Sequence, residues 1–182
     1  MRRVPRKAPL VAMAVAFSVI AAGAATLSAL KACGYQVIAN VTLSAPVGFY
    51  WLDMNAHAIT RGDYILIEMP DDYAALVYAR GYATRGEPLL KRAGAMPGDR
   101  VCVTAIPSSF DAEIAVNGTR YGTVFGRDFA GRNLPYSTGC YTVKSGYVVP
   151  LNNHIARSFD GRYFGQVPDS YIVGKVRTLW TY

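Results

Sequence analysis

Pro88-Leu89-Leu90-Lys91-Arg92-Ala93-Gly94-Ala95-Met96-Pro97-Gly98-Asp99-Arg100-Val101 is the stretch on which the reading of the fold turns. Leu89–Ala93 and the run opening at Arg100 each suit a strand, and Pro97-Gly98-Asp99 between them is a turn signal. Lys91 stands directly behind two leucines and beside a second cation. A lysine at the edge of an apolar strand can lose its proton, because burial disfavours the ammonium form. Such a lysine can act as a general base near neutral pH. The simpler reading is a surface lysine whose stem covers apolar neighbours while its head stays in water. The segment alone leaves both readings open. Alternation along a strand puts Arg92 on the opposite face, so desolvation, and not that neighbour, is the expected cause of a neutral Lys91.

Outward from this segment the sequence stays rich in short β-like runs. Tyr64–Glu68, Leu89–Ala93, Arg100–Ala105, Ile114–Val116, Cys140–Val143, Tyr147–Pro150 and Tyr171–Trp180 carry β-branched and aromatic residues, and Gly-containing turn signals separate them. Val116-Asn117-Gly118-Thr119 is the strongest hairpin signal, because Asn-Gly suits the positive φ angles of a tight turn. Asp71–Arg80 suits a short helix. The aromatic, glycine- and arginine-rich stretch from Tyr121 to Tyr141 reads as a long irregular excursion. The expected fold is mainly β: small coiled antiparallel sheets closing on one core.

The N-terminus is of another kind. Arg2, Arg3, Arg6 and Lys7 precede any acid, and Leu10 to Leu30 carries no charge. About 20 apolar residues in a helix cross a bilayer core of ~30 Å. Basic residues ahead of the span favour a cytoplasmic N-terminus. The expected organisation is therefore a basic cytoplasmic segment at 1–9, a transmembrane anchor at 10–30 and an exported domain at 31–182. A cleavable secretory signal is the alternative, with Ala22-Gly23-Ala24 supplying small residues, but the run exceeds the ~7–15 residues usual for a signal core. Either way the remainder is exported, in a bacterium to the periplasm. Leu30-Lys31-Ala32-Cys33 places a cysteine after the apolar run, although the lysine is unusual for a lipid-attachment site.

Past the basic segment, 15 Lys and Arg face 12 Asp and Glu. That balance is too mild and too scattered to suggest nucleic acid as a partner. Export makes a disulfide between Cys102 and Cys140 chemically allowed; the sequence does not show whether they lie close enough. His57 and His154 stand far apart without a metal-ligand pattern, so neither metal nor cofactor is expected.

Asn40-Val41-Thr42-Leu43-Ser44-Ala45-Pro46-Val47-Gly48-Phe49-Tyr50-Trp51 turns sharply after Ser44 and then resumes an apolar run. A serine there can present its hydroxyl at a cleft, though serine near proline is ordinarily loop chemistry. Its companions change the reading. This run is similar to the serine box of the type I signal peptidase family in its TraF-type branch, the signal peptidases of conjugative plasmid transfer, where Pro-x-Gly-x-Tyr follows the nucleophile. Arg61-Gly62-Asp63-Tyr64-Ile65 resembles the family's Gly-Asp strand box, and Leu90–Val101 its lysine box. Ser158-Phe159-Asp160-Gly161-Arg162-Tyr163-Phe164-Gly165 resembles its last box. The four stand in the family's order behind an N-terminal apolar span, and the resemblance covers about Asn40 to Trp180.

The resemblance implies a signal-peptidase-like β fold and a membrane-anchored serine endopeptidase. Ser44 would be the nucleophile and Lys91 the general base. The Ser44 backbone N–H and the Thr42 hydroxyl would form the oxyanion hole, and Ser158 would orient the lysine. Asp160 and Arg162 would form a structural ion pair. The substrate would be a precursor protein cut just outside the bacterial inner membrane after small residues, most closely the pilin precursor of a conjugative type IV secretion system. Secretion components would be further partners. In some relatives the acyl group passes to the substrate's own N-terminus, giving a cyclic pilin.

Two departures stand out. Ala45 follows the serine where the broader family has methionine, and Asn152-Asn153-His154-Ile155-Ala156-Arg157 replaces the Gly-Asp-Asn-Arg run that often precedes the last box. Rival readings are a housekeeping signal peptidase, a non-enzymatic anchored assembly factor, and a Ser–His–Asp triad using His57 or His154, neither of which has a nucleophile motif around it.

Overall fold

The computed structural model describes residues 8–42, 45–56, 58–153 and 155–182. The chain divides into two units, Met1–Gln36 and Val37–Tyr182. In the first, α1 (Ala8–Ala32) is a 25-residue helix without a charge before Lys31. It extends two residues beyond the expected span at each end. At 1.5 Å per residue it is about 37 Å long, enough to cross a bilayer core of ~30 Å.

Eleven strands and two short α-helices follow among the described residues: β1 (Tyr35–Asn40), β2 (Gly48–Asp53), β3 (Tyr64–Ile67), α2 (Asp71–Ala79), β4 (Leu89–Ala95), β5 (Arg100–Ala105), β6 (Ala112–Val116), β7 (Thr119–Val124), β8 (Gly139–Thr142), β9 (Tyr147–Leu151), α3 (Gly161–Phe164), β10 (Val167–Pro168) and β11 (Ile172–Thr181), with a 3-10 turn at Asp169–Tyr171. They form a seven-stranded sheet in the order β1-β2-β11-β3-β4-β9-β10 and a four-stranded sheet in the order β7-β6-β5-β8. The fold is mainly β, and the strand pairs from β2 onward are antiparallel.

The β4–turn–β5 unit joins the two sheets. Asp99 holds the turn: its carboxylate accepts from the Met96 N–H at 2.6 Å, from Asn117 Nδ2 at 2.8 Å and from the Arg61 guanidinium. Asn117 and Gly118 both take positive φ (51° and 80°), as the β6–β7 hairpin demands. The irregular excursion expected from Tyr121 to Tyr141 is shorter in the structure, since β7 runs through to Val124 and β8 opens at Gly139.

β4 lies inside the larger sheet, paired with β3 on one side and β9 on the other. Leu90 packs with Tyr50, Leu52, Leu66 and Val176 on one face, while Ala93 packs with Ile65, Ile67, Val148 and Val167 on the other. Both faces of this strand are covered, which is the condition that takes Lys91 out of water.

Cys102 and Cys140 are direct cross-strand partners on β5 and β8, with sulfurs 2.06 Å apart and 38 positions between them in sequence. Closing a loop of that length stabilises the fold by about 4 kcal/mol through the unfolded chain. Cys102→Ser with Cys140→Ser is accordingly expected to lower the melting temperature in oxidising buffer and to make it insensitive to reductant. A melting temperature that reductant leaves unchanged in the unsubstituted protein would argue against the bond.

Candidate active site

Lys91 is 3% exposed, and its Nζ donates to Ser158 Oγ at 2.8 Å. Ser158 is equally buried. Burial is the largest influence on the lysine and pulls its pKa down to about 8; the Arg162 guanidinium adds to the fall and the Asp160 carboxylate opposes it. Arg92 takes no part. It points to the other face of β4, where its guanidinium lies 4.0 Å from the centre of the Tyr64 ring and donates to the Tyr64 hydroxyl and the Gly62 carbonyl.

Below this pair lies a fully buried ion pair. Arg162 Nη1 donates to Asp160 Oδ2 at 2.7 Å, with both side chains excluded from solvent. Asp160 also caps α3 through the Arg162 N–H and accepts the Asn152 N–H at 2.9 Å. The second guanidinium nitrogen donates to the Asn152 carbonyl at 2.7 Å. Together these contacts fix the segment that carries Ser158.

On the opposite side, Asn40 organises the chain around the serine box. Its Nδ2 lies 2.9–3.0 Å from the carbonyl oxygens of Thr42, Ala45 and Pro46, and its Oδ1 accepts from the Thr42 N–H and hydroxyl, the latter at 2.7 Å. The Tyr50 hydroxyl donates to the Pro46 carbonyl, and Ala45 is buried. Residues on both sides of Leu43 and Ser44 are thereby anchored. Ser44 itself, with His57 and His154, lies outside the described residues.

Thr42, Lys91 and Ser158 line one cleft of about 310 Å³, together with Asn40. Its walls are chiefly apolar, with Ile38, Leu66, Met69, Leu89 and Phe159 among them. At its far end the Tyr82 hydroxyl donates to Asp128, and Arg80 donates to the Asn133 carbonyl, so the segment after α2 is tied to the loop after β7. Three of the residues singled out from sequence thus meet at one cavity. Asn40 and Asn152 did not stand out, because an isolated asparagine carries no spacing signal. The replacement of the family's usual run before Ser158 was the one hint that Asn152 stood somewhere unusual.

The chain belongs to the signal peptidase family, peptidase S26, which matches residues 10–181. It is 32% identical over 192 residues to a plasmid transfer protein TraF of Escherichia coli, across the whole of both chains. It is 31% identical over 159 residues to a conjugal transfer protein TraF of Agrobacterium fabrum (strain C58), across 82% of this chain and 84% of that one. A signal peptidase I of Enterococcus faecalis V583 aligns structurally with a TM-score of 0.36 and 21% identity, covering 65% of this chain and 96% of that one. The family match defines the class, a signal-peptidase-family protein with an N-terminal apolar helix.

Proposed function

We propose that this protein is a membrane-anchored serine endopeptidase using a Ser44–Lys91 dyad, and that it matures the pilin precursor of a conjugative type IV secretion system. The observation that carries the reading is Lys91 itself: a buried amine, already hydrogen-bonded to a hydroxyl, on the wall of an apolar cleft. The amine donates to Ser158, so its lone pair is left for another proton. It takes the Ser44 proton as Ser44 Oγ attacks the scissile carbonyl, and returns it to the leaving amine. The Ser44 N–H and the Thr42 hydroxyl receive the oxyanion. For this the Thr42 hydroxyl turns from Asn40 Oδ1, its partner in the resting cleft. The neutral lysine then activates the group that resolves the acyl-enzyme, either water or the substrate's own N-terminal amine.

The anchor is read as α1, with the peptidase domain on the periplasmic face of the inner membrane. Phe49, Leu179, Trp180 and Tyr182 stand exposed at one end of the larger sheet, a composition suited to a membrane–water interface. The conjugative substrate is read from the relatives' transfer-protein names and the full-length match to one of them.

Mass spectrometry of the propilin, produced with the intact protein or with Ser44→Ala, tests the reading. Trimmed pilin is expected only with the intact protein, and a product lighter by one further water identifies cyclisation. Equal trimming by both would refute Ser44 as nucleophile. Complementation of a strain depleted of its own leader peptidase separates a housekeeping enzyme from a dedicated one.

The pH dependence follows from the lysine. Only the neutral amine is a base, so the rate follows the deprotonated fraction and rises through the pKa of about 8. Between pH 7 and pH 9 the increase should be about tenfold. A flat profile across that interval would exclude Lys91 as the base.

A further inference from the structure

β9 ends at Leu151, whose partner on β4 is Arg92. Beyond that point the Leu90 carbonyl and the Arg92 N–H, the two backbone groups on either side of Lys91, would have no strand to bond. The Asn152 side chain takes both: Nδ2 donates to the Leu90 carbonyl at 3.1 Å, and Oδ1 accepts the Arg92 N–H at 3.0 Å. Asn152 is 1% exposed. Its own backbone faces the other way, donating to Asp160 Oδ2 at 2.9 Å and accepting from Arg162 Nη2 at 2.7 Å.

One residue therefore joins the strand that carries Lys91 to the buried ion pair beside Ser158. We infer that Asn152 is a positioning residue for the Ser44–Lys91 dyad, holding the Lys91 backbone in register with the Ser158 segment through a side-chain amide clamp. The inference rests on the dyad reading given above.

The chemistry selects asparagine. The clamp needs one donor and one acceptor at the tip of a short, rigid side chain. Aspartate keeps the acceptor, but it sets a carboxylate oxygen against the Leu90 carbonyl and adds a negative charge near the amine. Alanine leaves two buried backbone groups unbonded. A misplacement of the order of 1 Å in a catalytic group is enough to lower a rate ~100-fold.

The test uses the full-length protein in detergent, carrying ¹³C-labelled lysine. The Lys91 Cε resonance, assigned by its loss in Lys91→Met, is titrated from neutral to alkaline pH beside rates of propilin processing. The charged groups that bear on Lys91 are Asp160 and Arg162, and both are retained. Asn152→Asp is expected to move the Lys91 midpoint up by about one pH unit, because a nearby carboxylate favours the ammonium form. Asn152→Ala is expected to lower kcat at least tenfold with KM unchanged. Wild-type midpoint and rate in both variants would overturn the inference, as would a fall in melting temperature with an unmoved midpoint. Should Asn152→Ala fail to fold, the near-isosteric aspartate variant decides by its titration. The dyad reading fails separately, if Lys91→Met still processes propilin; the titration of Asn152→Asp would still report whether the clamp acts on the lysine.

Discussion

Replacing Lys91 with methionine is expected to abolish precursor processing and, at neutral pH, to raise the melting temperature. Loss of the base removes a factor of 10² to 10⁴ at least. The gain in stability has a separate origin. A lysine of ordinary pKa 10.5 in the unfolded chain falls to about 8 on folding, and that shift costs the folded state about 3 kcal/mol at neutral pH. Methionine fills similar space without a charge, and the lost hydrogen bond to Ser158 offsets about 1 kcal/mol of the gain. The sign follows from proton counts. Between about pH 8 and pH 10.5 the unfolded chain binds more protons at this site than the folded one, so wild-type stability rises across that window. The penalty is complete below pH 8 and gone above pH 10.5. The advantage of the methionine variant should therefore be largest at pH 7 and fade by pH 10.5. Thermal unfolding at several pH values, with propilin processing assayed alongside, measures both effects. A variant that stays active, or one whose stability gain is the same at every pH, would contradict the assignment.

Asp160→Ala is expected to cost about 3–5 kcal/mol, because it leaves the Arg162 guanidinium buried and uncompensated. The same change removes the cap of α3 and the acceptor of the Asn152 N–H. Arg162 Nε is already without a hydrogen-bond partner among the described residues, so the cation has little reserve. Replacing both members together, Asp160→Leu with Arg162→Met, should be far milder than the single change, since no charge remains to be desolvated. Denaturant unfolding of the single and double variants gives the comparison. Equal destabilisation by both would mean that packing, not charge, dominates there. The milder Asp160→Asn carries a second readout. Asp160 holds the Lys91 pKa up, so its neutralisation should shift the alkaline rise in activity to lower pH, whereas Arg162→Met should shift it higher.

The strands with plain β composition could be read directly: β3, β4, β5, β9 and β11 lie within a few residues of their expected places, as does α2. β2 was harder to see. It buries Gly48, Tyr50 and Leu52 but turns Phe49 and Trp51 outward, so no polar alternation marks it. β7 was hidden for a related reason. Gly122 weakens its strand pattern, and in the fold it faces the Arg162 guanidinium, where a Cβ would make a tight 3.1 Å contact with Nη2. A residue that makes room for a buried guanidinium 40 positions away looks, in one dimension, like a loop residue.

The amino-acid sequence by itself determined which chemical groups the chain carries, their order in four boxes, and the length of its apolar N-terminal helix. It also placed Lys91 on a strand with Arg92 on the far face, because alternation is a property of the strand alone. Only the tertiary structure decided that Lys91 is dry, that the hydroxyl beside it belongs to a residue 67 positions away, and that Arg162 is the cation that bears on it. Asn152 became visible only there as well, through bonds to residues about 60 positions upstream. The reason is physical. A side chain's identity sets its ordinary pKa, but desolvation and neighbouring charges set the pKa it works at, and both depend on where the chain folds back on itself.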